Sequence, residues 1–234
     1  MNSDWQDRTR MLIGKNAVQK LNNAKVAIFG LGGVGGYAAE ALARAGIGKF
    51  KIIDCDIITE TNINRQIIAL TDTIGQKKTD AVKQRIARIN PSAEIECFDI
   101  FVSPDNIGQI IDGSEDYIID AVDNITAKIA VIKTAKELNI AVISSMGTGN
   151  KLNPFMYKID DIYKTSVCPL AKVMRKELKA RGIDSLTVLY STETPKIKST
   201  PPASISYMPP IAGLIICGKV IEDLIKDVHE NIDI

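Results

Sequence analysis

Through the first two thirds of the chain, short β-branched runs alternate with longer stretches in which apolar residues recur every three or four positions. The runs Lys25–Phe29, Lys49–Asp54, Glu94–Asp99, Tyr117–Ala121 and Ala141–Ser145, each bounded by Gly, Asp, Asn or Ser, predict strands. Between them Val34–Ala45, Gln76–Ile89 and Thr126–Leu138 predict helices, and Asn90-Pro91 stops the second. Such alternation implies a Rossmann-like, doubly wound α/β fold, because parallel strands need crossover helices that cover the sheet. After Gly149 the pattern changes. Lys151–Asp160 reads as a strand pair, Pro169–Ala180 as a helix, Leu186–Ser191 as a further strand and Pro210–Val228 as a closing helix. Thr192–Pro202, with three prolines and no periodicity, predicts a mobile loop.

At 234 residues the chain is expected to form one domain, 1–234, with a nucleotide-binding half (1–150) and a substrate-facing half (151–234). A hydrophobic content of 45% with 29 Lys and Arg against 28 Asp and Glu excludes a disordered chain. The sequence holds no 18-residue uncharged apolar run, so no membrane segment is expected. The polar start, Met1 to Arg10, does not read as a signal peptide, and the cytoplasm is the expected compartment. The single histidine, His229, is the sixth residue from the end, which excludes mechanisms built on a Ser-His-Asp or Cys-His pair. Cys55, Cys97, Cys168 and Cys217 form no C-x-x-C pair, so no zinc site is expected.

The strand Lys25–Phe29 runs directly into Gly30-Leu31-Gly32-Gly33-Val34-Gly35-Gly36 and then a helix. Glycines here let backbone N–H groups at a helix N-terminus approach an anion without a Cβ in the way. Asp54, ending the second strand, is placed to accept ribose hydroxyls. These features fit NAD and ATP alike. Arg65, in Thr61-Asn62-Ile63-Asn64-Arg65-Gln66, and Lys78, at the head of a helix, favour a triphosphate, because a fork and a point charge suit departing pyrophosphate. Asp123 follows the fourth strand at the carboxyl edge of the sheet, where one carboxylate can hold Mg²⁺ against phosphates. Asp120 reads as a strand-end cap outside the binding chemistry.

In this order, Gly30-x-Gly32-Gly33-x-Gly35, Asp54-x-Asp56, Asn62-x-x-Arg65-Gln66, Gly75-x-x-Lys78 and Asp123-Asn124 resemble the ThiF/MoeB/HesA adenylating superfamily, whose fold ubiquitin-activating enzymes share. The resemblance implies that Asp54 binds ribose, that Asn62, Arg65 and Lys78 bind the phosphates, and that Asp123 serves Mg²⁺. It also implies a homodimer in which Arg8 reaches the partner's ATP. Trp5 stands where the family pattern often has a further Arg.

The second half is similar to the branch that dehydrates threonylcarbamoyladenosine in tRNA, through Ile162 to Ala171, Tyr190-Ser191-Thr192-Glu193 and Ser204 to Gly213. Relatives that activate ubiquitin-like sulfur carriers usually hold zinc in two C-x-x-C pairs, which this chain lacks. The branch implies ATP-dependent adenylation of the substrate's carboxylate, with Arg8, Arg65, Lys78 and Asp123 carrying the chemistry by charge and position. The substrate's own carbamoyl group then closes a ring. An alkali cation, Na⁺ or K⁺, and a sulfur-transfer protein partner are further implications, with no ligands assignable. Between Lys164 and Thr200 eight Lys or Arg face three acids, a net of +5 in a chain of net +1, which suits a surface tracking tRNA phosphates. Cys168 is a candidate acyl or sulfur acceptor, although ring closure needs no enzyme nucleophile. Two alternatives stand beside this one: adenylation of a ubiquitin-like sulfur carrier, and a nucleotide-binding module without turnover.

Overall fold

The computed structural model describes residues 4–195, 197, 199 and 201–228. In chain order the elements are α1 (Asp7–Asn23), β1 (Lys25–Phe29), α2 (Gly35–Ala45), β2 (Lys49–Ile53), α3 (Lys78–Ile89), β3 (Glu94–Phe98), β4 (Tyr117–Asp120), α4 (Ile125–Glu137), β5 (Ala141–Ser145), β6 (Tyr157–Asp161), α5 (Pro169–Lys179), β7 (Thr187–Ser191) and α6 (Met208–Ile225). The strands form one sheet in the order β3-β2-β1-β4-β5-β7-β6, parallel throughout except where β6 runs against β7. The strand order reverses between β1 and β4, the crevice where open α/β sheets take ligands.

Alternation along the strands sends side chains to opposite faces. Val26 and Ile28 of β1 join Leu42, Phe50, Ile52 and Ile216 in one buried layer. Ala27 and Phe29 join Ile53, Ile118, Val131 and Leu178 in the other. On the first face α6 crosses α2 closely: a Cβ at Gly213 would lie 2.3 Å from the Val34 carbonyl oxygen. No helix among the described residues is long and apolar enough to cross a membrane.

Two regions depart from the sequence pattern. Helix α1 is not predicted, because only Ala17, Val18 and Leu21 are buried and Gly14, at φ 82°, breaks its periodicity. Lys151–Asp160 is not a strand pair. Pro154–Met156 forms a single 3₁₀ turn, whose first residue lacks a backbone donor, and only β6 follows. In the stretch expected to be a mobile loop, Glu193 is buried and the Ser199 hydroxyl donates to Asn150 Oδ1 at 2.8 Å. Lys196, Lys198 and Thr200 lie outside the described residues.

Candidate active site

Parallel pairing puts the carboxyl ends of β1, β2, β4, β5 and β7 at one edge, and the candidate residues gather there. The glycine-rich turn leaves β1 and starts α2. Three of its glycines answer to packing. A Cβ on Gly30, at φ 85°, would lie 2.7 Å from the Ala121 carbonyl oxygen; on Gly35, 1.8 Å from that of Gly30; on Gly33, 2.8 Å from the Pro209 ring. At Gly32 there is ordinary space, with the Gln66 amide at 3.8 Å. The backbone N–H groups of residues 32–35 have no acceptor among the described residues, whereas Gly36 N–H already bonds the Gly32 carbonyl at 3.0 Å. The turn therefore serves both purposes: packing fixes its shape, and its unpaired donors are available to an anion at the positive end of a helix.

Asp54 is tied to this turn. Its Oδ2 accepts from Leu31 N–H at 2.7 Å and its Oδ1 from Asp56 N–H at 2.9 Å, and each oxygen retains a lone pair for a hydroxyl. Burial pushes its pKa above the ordinary carboxylate range, against the pull of Lys78 and those two N–H groups. Lys78 is buried, with Nζ 2.6 Å from Asp56 Oδ2 and 3.8 Å from Asp54 Oδ1. Its charge is held by two carboxylates.

The turn Glu60–Asn62 carries the next candidates. Asn62 is buried and its Oδ1 accepts from Thr59 N–H at 3.1 Å, closing a capping box, so only its Nδ2 is left for a ligand. Arg65 is held by the Thr61 carbonyl (2.9 Å) and Asn64 Oδ1 (2.7 Å), both on Nη1, which leaves the rest of its fork open. Gln66 is 6% exposed, its Nε2 lies beside Gly32, and its Oε1 is buried with no partner among the described residues. Asp123 is exposed in the loop between β4 and α4, and the next residue, Asn124, caps α4 by accepting from Ala127 N–H at 3.0 Å.

Under that loop lies a closed network that sequence reasoning missed. Asp120 is not a simple strand-end cap. Fully buried, it accepts from Lys128 Nζ at 2.8 Å and from the Ser144 hydroxyl at 2.6 Å, and Lys128 also donates to the Ser145 carbonyl at 3.0 Å. Burial raises the Asp120 pKa, opposed chiefly by Lys128. This network joins the ends of β4 and β5 to α4, and its only local signal was a lysine eight residues after a strand-end aspartate.

Arg8 stands exposed in the first turn of α1 with no ion pair among the described residues, while Arg10 is engaged by Asp4 and Asp7. Cys168 is 2% exposed at the start of α5, which withdraws its thiol from solvent. The basic segment is thinner than its sequence suggests. Arg175 turns inward to the Thr165 carbonyl at 3.0 Å, Arg181 pairs with Glu177 at 2.8 Å and Lys164 with Asp160 at 3.4 Å. Lys172, Lys176 and Lys179 of α5 remain exposed without a partner among the described residues.

Comparison with known proteins places this geometry. The sequence profile of the ThiF family matches residues 6–232. The tRNA threonylcarbamoyladenosine dehydratase of Bacillus subtilis is 41% identical over 95% of both chains. Crystal structures of the Escherichia coli tRNA N6-threonylcarbamoyladenosine dehydratase also superpose on this chain: the complex with AMP has a TM-score of 0.91 at 32% identity, covering 97% of this chain and 98% of that one. The complex with ATP has a TM-score of 0.90 at 32% identity and covers 99% of both chains. With seven strands in one mostly parallel sheet and a glycine-rich turn at its switch point, the chain belongs to the ThiF family.

Proposed function

We propose that the protein is an ATP-dependent dehydratase acting on N6-threonylcarbamoyladenosine in tRNA. One convergence carries this reading. The unpaired N–H groups of residues 32–35, Asp54, Arg65, Lys78 and Asp123 meet at one sheet edge, in a chain alike over 95% of its length to a tRNA threonylcarbamoyladenosine dehydratase.

The chemistry follows from what these groups can do. The ribose hydroxyls donate to Asp54, and the phosphates accept from the glycine turn. Arg65 and Lys78 draw charge off the phosphates, so the substrate's carboxylate oxygen can attack the α-phosphorus and pyrophosphate can leave. The product is an acyl-adenylate. A carbamoyl oxygen or nitrogen of the same substrate then attacks the activated carbonyl, and AMP departs with the former carboxylate oxygen. A proton goes to solvent, and the net organic change is loss of water. Since nucleophile and electrophile belong to one bound molecule, the protein contributes position and charge, which needs neither histidine nor thiol. Asp123 is an exposed carboxylate, a hard oxygen donor with no protein partner among the described residues, and so fits Mg²⁺, which keeps few protein ligands. Bound there and to the phosphates, Mg²⁺ would neutralise phosphate charge.

Arg8 acts on the partner's nucleotide in a homodimer. Exposed Met11 and Leu12, 86% and 72% accessible on the same helix, give that contact an apolar surface. Lys172, Lys176 and Lys179 follow the tRNA backbone. The test is to incubate the protein with ATP, Mg²⁺ and modified tRNA. Formation of AMP and pyrophosphate, with a nucleoside lighter by one water, is the expected result. AMP formed only on adding a small carrier protein would contradict the tRNA reading, and no AMP with either would contradict enzymatic adenylation.

A further inference from the structure

Four lysines are buried among the described residues, and three close on carboxylates: Lys51 on Asp112 and Glu115, Lys78 on Asp56, and Lys128 on Asp120. Lys151, 5% exposed, has no carboxylate within salt-bridge reach among the described residues. Its Nζ donates to the carbonyls of Ser191 at 3.2 Å and Glu193 at 3.5 Å. An ammonium carries three N–H groups, so one is left over. The Glu193 carboxylate is turned to the backbone, accepting from Leu152 N–H at 3.0 Å and Asn153 N–H at 2.8 Å. Burial pulls the Lys151 pKa down, and Cys168 and Glu193 hold it up from nearby.

Lys151 also lines a cavity of about 210 Å³ whose other walls include Asn150, Leu152, Ser204 and Ile205. That is room for about seven waters at ~30 Å³ each, or for a small organic side arm. Ser204 Oγ is likewise buried with no partner among the described residues. One wall of the cavity is bonded to the nucleotide edge. β7 ends beside it, the Ser204 carbonyl accepts from Asn64 Nδ2 at 3.1 Å next to Arg65, and Pro209 abuts Gly33. Tyr207 Oη closes the same wall, donating to the Leu152 carbonyl at 2.8 Å.

We propose that this cavity receives the amino-acid arm of the modified nucleoside, with Lys151 and the Ser204 hydroxyl donating to arm oxygens other than the attacking carboxylate. The carboxylate is thereby presented to the phosphates across the Ser204–Asn64 wall. The inference rests on the dehydratase reading and names the residues that recognise its substrate. It gives the buried cation a ligand of matching chemistry: an arm rich in carbonyl and hydroxyl oxygens, small enough to enter, and bearing a methyl group for the apolar side.

The test compares tRNA carrying the arm with the same tRNA lacking it, by equilibrium binding and by dehydration kinetics. Wild-type protein is expected to bind the modified tRNA at least about tenfold more tightly, a preference worth one decade in Kd. In Lys151→Met the preference should fall to near unity and KM for modified tRNA should rise about tenfold. KM for ATP should be unchanged, and Lys151→Arg should recover part of the loss. Should Lys151→Met fail to fold, Ser204→Val fills the same cavity from a partly exposed segment and should give the same loss. A preference retained in a folded variant, or absent from wild type, overturns the cavity assignment alone. Wild-type protein that does not dehydrate modified tRNA overturns the dehydratase reading and this inference with it.

Discussion

Lys128 and Lys151 are both buried near the carboxyl edge of the same sheet, but their surroundings differ. Lys128 has three acceptors, one of them the Asp120 carboxylate, and every member of its network is answered within the fold. Lys151 has two backbone carbonyls and an N–H with no acceptor among the described residues. A charge closed on itself holds strands and helix together. One left open at a cavity is a place for a ligand. The two regions therefore divide the labour: the β4–β5–α4 junction fixes the Asp123 loop, and the Lys151 cavity selects what is brought to it.

The contrast can be broken in order of expected effect. Lys128→Met strands the Asp120 carboxylate in the interior, and urea unfolding should show a loss of about 3–5 kcal/mol, the usual cost of removing one partner of a buried pair. Lys151→Met should cost far less stability, and a loss as large as that of Lys128→Met would make Lys151 framework instead. Next come Arg65→Ala and Asp123→Ala. Each should lower kcat by about 10²–10³-fold, as removal of a transition-state charge contact does. Thermal stability should stay within about 0.5 kcal/mol of wild type, because neither side chain is buried.

A pH series sharpens the comparison. Burial lowers the Lys151 pKa in the folded state, so the unfolded chain binds the proton more strongly. This group's cost is therefore full below its folded pKa and is relieved as pH rises from there toward the unfolded value near ~10.4. Relative to Lys151→Met, wild-type protein should gain stability over that interval, and a flat difference would remove the buried ammonium from the description. The smallest effect belongs to α5: Lys172→Ala and Lys176→Ala should each lower the salt slope of tRNA binding by about 1 or less, without changing the preference for the arm.

How far these regions could be read beforehand follows from how each is built. The β1–α2–β2 unit is local in sequence, a strand, a glycine turn, a helix and a strand-end acid, so its elements were legible from spacing. The double duty of the glycines was not, because the clash partners of Gly30 and Gly33 are Ala121 and Pro209, far along the chain. Neither was the inward turn of Arg175, which spends a surface-looking cation on the Thr165 carbonyl. The Lys151 cavity joins residues about 150, 193 and 204 with no motif between them. The misreading of Lys151–Asp160 as two strands concealed it further, since the segment that carries Lys151 is a loop leading into a proline-started turn.

The most direct measurement follows one oxygen. Modified tRNA with heavy oxygen in the carboxylate of its threonyl arm is taken through a single turnover with ATP, and the products are analysed by mass. If the carboxylate attacks the α-phosphorus, AMP carries one heavy oxygen and pyrophosphate carries none. Heavy oxygen in inorganic phosphate, with ADP in place of AMP, would contradict adenylation at this site.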